Sequence, residues 1–214
     1  MPIAVYFSNL PTKKRKLIPT ELLKQHHARL VNMRKSQILF DEGDTATDFL
    51  QIEEGQVKMY ILNPEGQEFT QGIFYKGESF GEPALIGGFP YPSSAMAVTS
   101  GKIWRLPKPE FIQLLKENFE IHMKLDKVLC NRLQYKAMIL KEVSSHDPEH
   151  RLITMFNYMK LKLTRRKVDE KVLVPFTRQQ LADMTGLRVE TVIRTVKKME
   201  KDGKLILEGH KIVL

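Results

Sequence analysis

The sequence predicts an α+β chain: an antiparallel β-sandwich or barrel, then a long helix, then a C-terminal winged helix-turn-helix. Three observations predict it. From about Val31 to Leu106, short apolar runs broken by Gly, Asp, Asn and Pro recur at roughly 8–12-residue intervals, the spacing of an all-β layer structure. At Pro107 the pattern switches to helical periodicity, which lasts to Val143. Near the C-terminus, TRQQLADMTGLRVETVIRTVKK (177–198) has the punctuation of two short helices joined by a tight turn.

The expected strands are SQILF (36–40), FLQI (49–52), VKMYIL (57–62), FTQGIFY (69–75), SSAMAVT (93–99) and KIWRL (102–106), with alternating positions such as Ile38/Phe40 and Val57/Met59/Ile61 facing a core. A short helix follows to about Lys116 and a long one from about Glu120. The long helix carries the stripe Ile121, Leu125, Val128, Tyr135, Ile139 and a second, Leu129, Leu133, Ala137, Leu140. One face can pack on its own β-domain and the other needs another partner. That suggests a parallel helix pair in a homodimer, with Ile121, Leu125, Val128, Arg132, Tyr135 and Ile139 at the interface. The alternative is a helix sandwiched between two domains of one chain, since Arg132 and Glu142 interrupt the seam. SSHDP (144–148) is the linker, with Asp147 as N-cap and Pro148 at the first helical position of a helix through about Leu163. A basic cluster at Arg165, a short strand VLV (172–174) and a hairpin at 205–214 turning near Gly209 complete the chain. The resulting division is 1–107, 108–145 and 146–214.

In the C-terminal part, Thr177 and Gln180 fit a capping box, and Leu181, Ala182 and Met184 form a short apolar face. Gly186 allows a left-handed turn residue. Val189, Val192, Val196 and Met199 then repeat at spacings of three and four. Arg188, Glu190, Thr191, Arg194, Lys197 and Lys198 fall on the other side. Arg and Glu there can reach base edges, and Lys can reach phosphates, as a helix in a major groove requires. The plain alternative is a surface αα-hairpin with a solvated basic face. Charge favours the first reading. The chain has 34 Lys+Arg against 25 Asp+Glu; residues 148–214 hold 15 against 8, and the preceding residues 19 against 17.

Other classes find little support. No apolar run approaches the roughly 20 residues that span a bilayer, and the N-terminal order of apolar then basic residues is the reverse of a signal peptide, so a cytoplasmic location without membrane attachment is expected. The single Cys130 excludes an intrachain disulfide framework and is expected as a buried small hydrophobe. The dense acidic pairs outside helices, Glu53-Glu54 and 41–44, look like turns. With no Gly-rich phosphate loop, Ser-His-Asp set or three-ligand metal cluster, neither an enzyme nor a metal site is expected.

With these elements in this order, the chain from Met33 onward resembles the CRP/FNR family of bacterial transcription regulators. FGEPALI (80–86) followed by SSA (93–95) resembles the phosphate cassette of a cyclic-nucleotide-binding domain, and TRQQLADMTGLRVETVIRTVKKME (177–200) resembles the family's DNA reader. The resemblance implies that the N-terminal domain is an antiparallel β-roll of the double-stranded β-helix or jelly-roll type. It also implies a dimerisation helix and a homodimer on palindromic double-stranded DNA. RNA polymerase is an implied partner, with the loop 63–68 as a contact surface.

In the family's cyclic-nucleotide binders, the Gly-Glu pair supports the ribose 2′-hydroxyl and an Arg before Ser/Thr-Ala neutralises the cyclic phosphate. Gly81-Glu82 match, but Ser93 stands at the Arg position before Ser94-Ala95, and no Arg occurs between Arg34 and Arg105. Losing such a pair costs about 2–5 kcal/mol. Lys136-Ala137 stand where cAMP-binding relatives carry a hydroxyl pair. The effector pocket is therefore expected around Gly81, Glu82, Ser93, Ser94 and Lys136, with Lys76 or Lys102 as other stand-in cations and with an effector other than cAMP. Glu82 has a second reading, as a cap on the short helix beginning at Pro83. An iron–sulfur cluster would need four thiolates, and haem would need His122 or Pro2, so neither is expected.

For the reader, the resemblance implies Glu190 and Arg194 as base contacts, Val189 as an FNR-like position and Ile193 as a departure from the FNR-type Ser. Arg178 and Lys197 would clamp phosphates, and His210 and Lys211 would touch the backbone from the wing. Thr177, Gln179 and Arg188 complete the set. The alternative function is a β-roll protein-interaction scaffold whose basic C-terminal domain binds nucleic acid nonspecifically.

Overall fold

The computed structural model describes residues 16–66, 68–143, 147–163 and 172–214, and their side chains except at 138–143 and 158–163. The chain divides into two compact units, one Lys14–Leu129 and the other built on Cys130–Leu214.

The first unit carries α1 (Thr20–Gln25), then β1 (Arg29–Met33), β2 (Ile38–Phe40), β3 (Asp48–Glu54), β4 (Val57–Leu62), β5 (Glu68–Phe74) and β6 (Ser79–Phe80). The short α2 (Glu82–Gly87) leads to β7 (Ser94–Ala97), β8 (Gly101–Pro107), α3 (Lys108–Glu117) and the start of α4 (Phe119–Val143). The strands form two four-stranded sheets ordered β1-β8-β3-β6 and β2-β7-β4-β5, paired antiparallel throughout. This is the expected β-roll. Residues 48–52 of β3 are all buried, so this strand is covered on both faces. Phe49 stacks on Phe111 of α3 with ring centroids 4.5 Å apart. Gln51, fully buried, is satisfied by the Ile18 backbone: its Oε1 accepts the Ile18 N–H at 2.9 Å and its Nε2 donates to the Ile18 carbonyl at 2.9 Å.

Three elements carry too little sequence pattern to be read in advance. α1 has six residues, β6 has two, and four of the five residues of β1 are exposed. The long helix brings a correction. Ile121 and Leu125, expected at a dimer interface, are only 6% and 1% exposed and belong to the core of their own β-domain, with Val128 and Leu129 packed against it. The first turns of α4 are thus held by an intramolecular contact. Further along, Arg132 and Tyr135 are half-buried, and Leu133 is 70% exposed. The Ile139 side chain lies outside the described residues. Cys130 is exposed, contrary to the expected burial, because it falls on the face of α4 turned away from that core.

The second unit carries α5 (Pro148–Leu163), α6 (Arg178–Thr185), α7 (Val189–Lys201), β9 (Ile206–Glu208) and β10 (Lys211–Val213). Asp147 accepts the Glu149 N–H at 3.0 Å, so α5 begins as its Asp-Pro start dictates. Residues 144–146 and the basic cluster at Arg165 lie outside the described residues. The expected strand at 172–174 joins the wing through a single bridge, Leu173 to Val213, flanked by hydrogen bonds between Val172 and Leu214. Leu152, Phe156, Leu181, Val192, Val196 and Ile212 are buried, and the three helices pack on one another.

Candidate nucleic-acid interface

The turn between α6 and α7 is fixed by local chemistry. Thr177 Oγ1 accepts the Gln180 N–H at 3.1 Å, and Gln180 Oε1 accepts the Thr177 N–H at 2.9 Å, a complete capping box. At the other end Gly186 takes φ +66°, and its N–H donates to the Ala182 carbonyl. Ala182 is 2% exposed and Val192 is fully buried, so a small residue on α6 and a β-branched one on α7 are both covered as these helices pack. From α5, Arg151 Nη1 reaches the Thr185 carbonyl at 3.4 Å and supports the end of α6.

On α7 the buried residues Val192, Thr195, Val196 and Met199 define the inner face. Glu190, Arg194 and Lys197 are exposed on the opposite face, each about one helical turn from the next. Val189 is half-buried, and Arg188 is exposed as the N-cap residue, without a side-chain cap bond. Ile193 is 40% exposed beside Lys197 and adds an apolar patch to the outer face of α7. Sequence reasoning treated it only as a departure from the family pattern. Its position outside the Val192/Val196/Met199 stripe is the signal that marks it as outward-facing. Such a side chain suits a thymine methyl.

The flanking set is partly engaged. Arg178, half-buried at the first position of α6, has a guanidinium pulled below its ordinary value by burial. Gln179 donates to Asp183 Oδ1 at 2.8 Å. His210 and Lys211 are exposed at the hairpin turn, where Gly209 takes φ +62°. Lys198, expected on the outer face, is engaged by Glu149 of α5 at 3.1 Å; Lys204 grips the other oxygen of the same carboxylate.

The cassette region lies in the other unit. Gly81 takes φ +80° as N-cap of α2, and Glu82, its first helical residue, is fully buried. A Cβ at Gly81 would meet Tyr91 Cε1 at 2.9 Å, because the Tyr91 and Phe40 rings, stacked 3.6 Å apart, lie against it. Ser93 is fully buried, and its hydroxyl makes no hydrogen bond among the described residues. Ser94 Oγ accepts the Glu42 N–H at 2.9 Å and so ties the cassette to the β2–β3 loop. Lys136 is exposed and belongs to the second unit. Arg105 is bound to Asp48 at 2.6 Å. Beside this pair a cavity of about 280 Å³ opens between Tyr91 and the loop at Asp44–Thr47. Burial, then the Asp48 charge, push the Tyr91 phenol up to about 12.

No helix among the described residues is long and apolar enough to cross a membrane, and no group of three or more His, Cys, Asp or Glu among them could hold a metal ion.

Comparison with known proteins agrees with this geometry. The family described as "Cyclic nucleotide-binding domain" matches residues 30–118, and that described as "Crp-like helix-turn-helix domain" matches residues 150–214. The nitrogen fixation regulation protein FixK of Bradyrhizobium diazoefficiens is 26% identical over 185 residues, covering 86% of this chain and 76% of that protein. The fumarate and nitrate reduction regulatory protein of Escherichia coli is 23% identical over 183 residues, covering 85% and 73%. A CooA mutant from Carboxydothermus hydrogenoformans shares the fold with a TM-score of 0.77 at 20% identity, covering 97% and 94%. The β-roll with its cassette remnant, matched by one family model, and the helix-turn-helix, matched by the other, place this chain in the CRP/FNR family of DNA-binding transcription regulators, which are not enzymes.

Proposed function

We propose that the protein is a homodimeric regulator that reads palindromic sites, each protomer presenting Glu190 and Arg194 to one half-site. The observation that carries this reading is their joint exposure, four residues apart on α7, the helix that follows the Gly186 turn at the end of the box-capped α6. Arg194 donates a bidentate pair to guanine and Glu190 accepts from cytosine N4. Arg178 and Lys197 clamp phosphates, and His210 and Lys211 touch the backbone from the wing. The two reader helices then lie about 34 Å apart, one turn of DNA. Val189 favours a half-site with a G·C core closer to TTG than to TGTGA. Selection from a randomised duplex pool tests this: a recurrent palindrome of the TTG type is expected, and TGTGA half-sites or no recurrent motif would overturn it.

The effector is not cAMP. The cassette presents a buried hydroxyl at Ser93 where a cation is required, Arg105 is neutralised by Asp48, and an aromatic stack lies on Gly81. A cyclic phosphate does not fit that residue set. Calorimetric titration should show no micromolar cAMP binding. The exposed residues 63–66 that follow β4 are the surface offered to RNA polymerase, as part of this reading.

A further inference from the structure

The Glu149 clamp joins α5 to α7 and to the turn beyond it through charged side chains, apart from the buried residues that pack these helices. Its carboxylate is 12% exposed and sits in the first turn of α5, receiving Lys198 on Oε2 and Lys204 on Oε1. Lys198 borders the reading face, one helical turn beyond Arg194. Lys204 follows directly on the end of α7, in the turn that leads to the wing. Both ammonium groups are therefore near the surface that meets DNA, yet both are turned onto one anion belonging to a different helix. Hydrogen bonds from Lys204 and then Lys198 hold the Glu149 carboxyl below the usual carboxylate range, and the Glu149 bond raises Lys204.

We propose that Glu149 is a specificity-determining residue, which limits general phosphate affinity by keeping Lys198 and Lys204 off the DNA backbone. Phosphate contacts bind every sequence, whereas base contacts by Arg194 and Glu190 bind one. On a cognate site the groove fixes α7 in one register, and freed lysines reach phosphates only where that register allows. On random DNA the domain settles wherever its lysines reach best. Releasing the two cations therefore strengthens random binding more than cognate binding. This inference rests on the proposed reading for its cognate arm only.

The test measures binding of the full-length protein to a random-sequence duplex and to the selected site, across a salt series. Glu149→Gln should raise random-duplex affinity several-fold at low salt and steepen the log–log salt slope by up to about 2 per reader domain, at roughly 0.9 per phosphate. Glu149→Gln combined with Lys198→Gln and Lys204→Gln should return the slope to the wild-type value. In the background that keeps Glu149, the double variant Lys198→Gln/Lys204→Gln should leave the random-duplex slope unchanged, which reads the proposal even where Glu149→Gln does not fold. A folded Glu149→Gln protein with an unchanged or shallower slope overturns it, as does a shallower slope in the double lysine variant. If the wild-type protein selects no palindrome while these slopes behave as stated, the reading of Glu190 and Arg194 fails and the role of Glu149 stands.

Discussion

At the scale of single residues, the proposed reading assigns two kinds of contact to the exposed face of α7. Arg194→Ala should cost about 1–3 kcal/mol and relax preference at one base pair, because it removes a bidentate base contact; Lys197→Ala should weaken all sequences about equally. Competition with single-base variants of the selected site distinguishes them, and equal losses on specific and random DNA for Arg194→Ala would refute its base contact. A second residue prediction concerns Tyr91. Its phenol titrates near 10.0 in the unfolded chain and near 12 in the folded one, so its stabilising contribution is complete below pH 10 and is lost as pH rises towards 12. That displacement is worth roughly 3 kcal/mol. Tyr91→Phe should therefore lose less stability than wild type between pH 10 and 12 in urea titrations, and parallel losses would show the phenol to be unimportant. The sequence already displayed the Glu190–Arg194 pair, because both members lie on one helix four residues apart. It did not display Glu149, whose partners lie 49 and 55 residues away. Nor did it display Tyr91, whose burial depends on stacking with Phe40.

At the scale of elements, legibility followed local chemistry. The capping box, the Gly186 turn, the Asp147-Pro148 start and the 205–214 hairpin are written in residues a few positions apart, and each formed where expected. Thr177→Ala breaks the cap and should cost about 0.5–2 kcal/mol of reader-domain stability, while Thr177→Ser should restore most of it; thermal melts of the full chain report both. An unchanged melt for Thr177→Ala would mean that packing alone sets the start of α6. The α4 stripe illustrates the opposite case. Periodicity establishes that Ile121 and Leu125 are covered, but a heptad-like stripe looks the same whether it meets its own β-domain or a second chain. The difference lies in Phe49, Phe111 and the other long-range members of the core, which no window along α4 contains.

At the scale of the whole molecule, the intramolecular use of Ile121 and Leu125 moves any dimer seam towards the second half of α4. There Leu133 stands 70% exposed, next to half-buried Arg132 and Tyr135. An exposed Leu is commonplace alone, yet burying it against a twin helix is worth about 1.5–3 kcal/mol per protomer. Leu133→Asp places two like charges at such a seam and removes that burial. Light scattering should show the wild-type protein at twice the 24.8 kDa protomer mass and the variant shifted towards the protomer. Because each half-site contact is weak without its twin, the variant should also lose most affinity for the selected palindrome while retaining its salt-dependent binding to random duplex. A Leu133→Asp protein that stays dimeric would place the seam elsewhere on the chain. One that becomes monomeric yet keeps full palindrome affinity would refute paired reading itself.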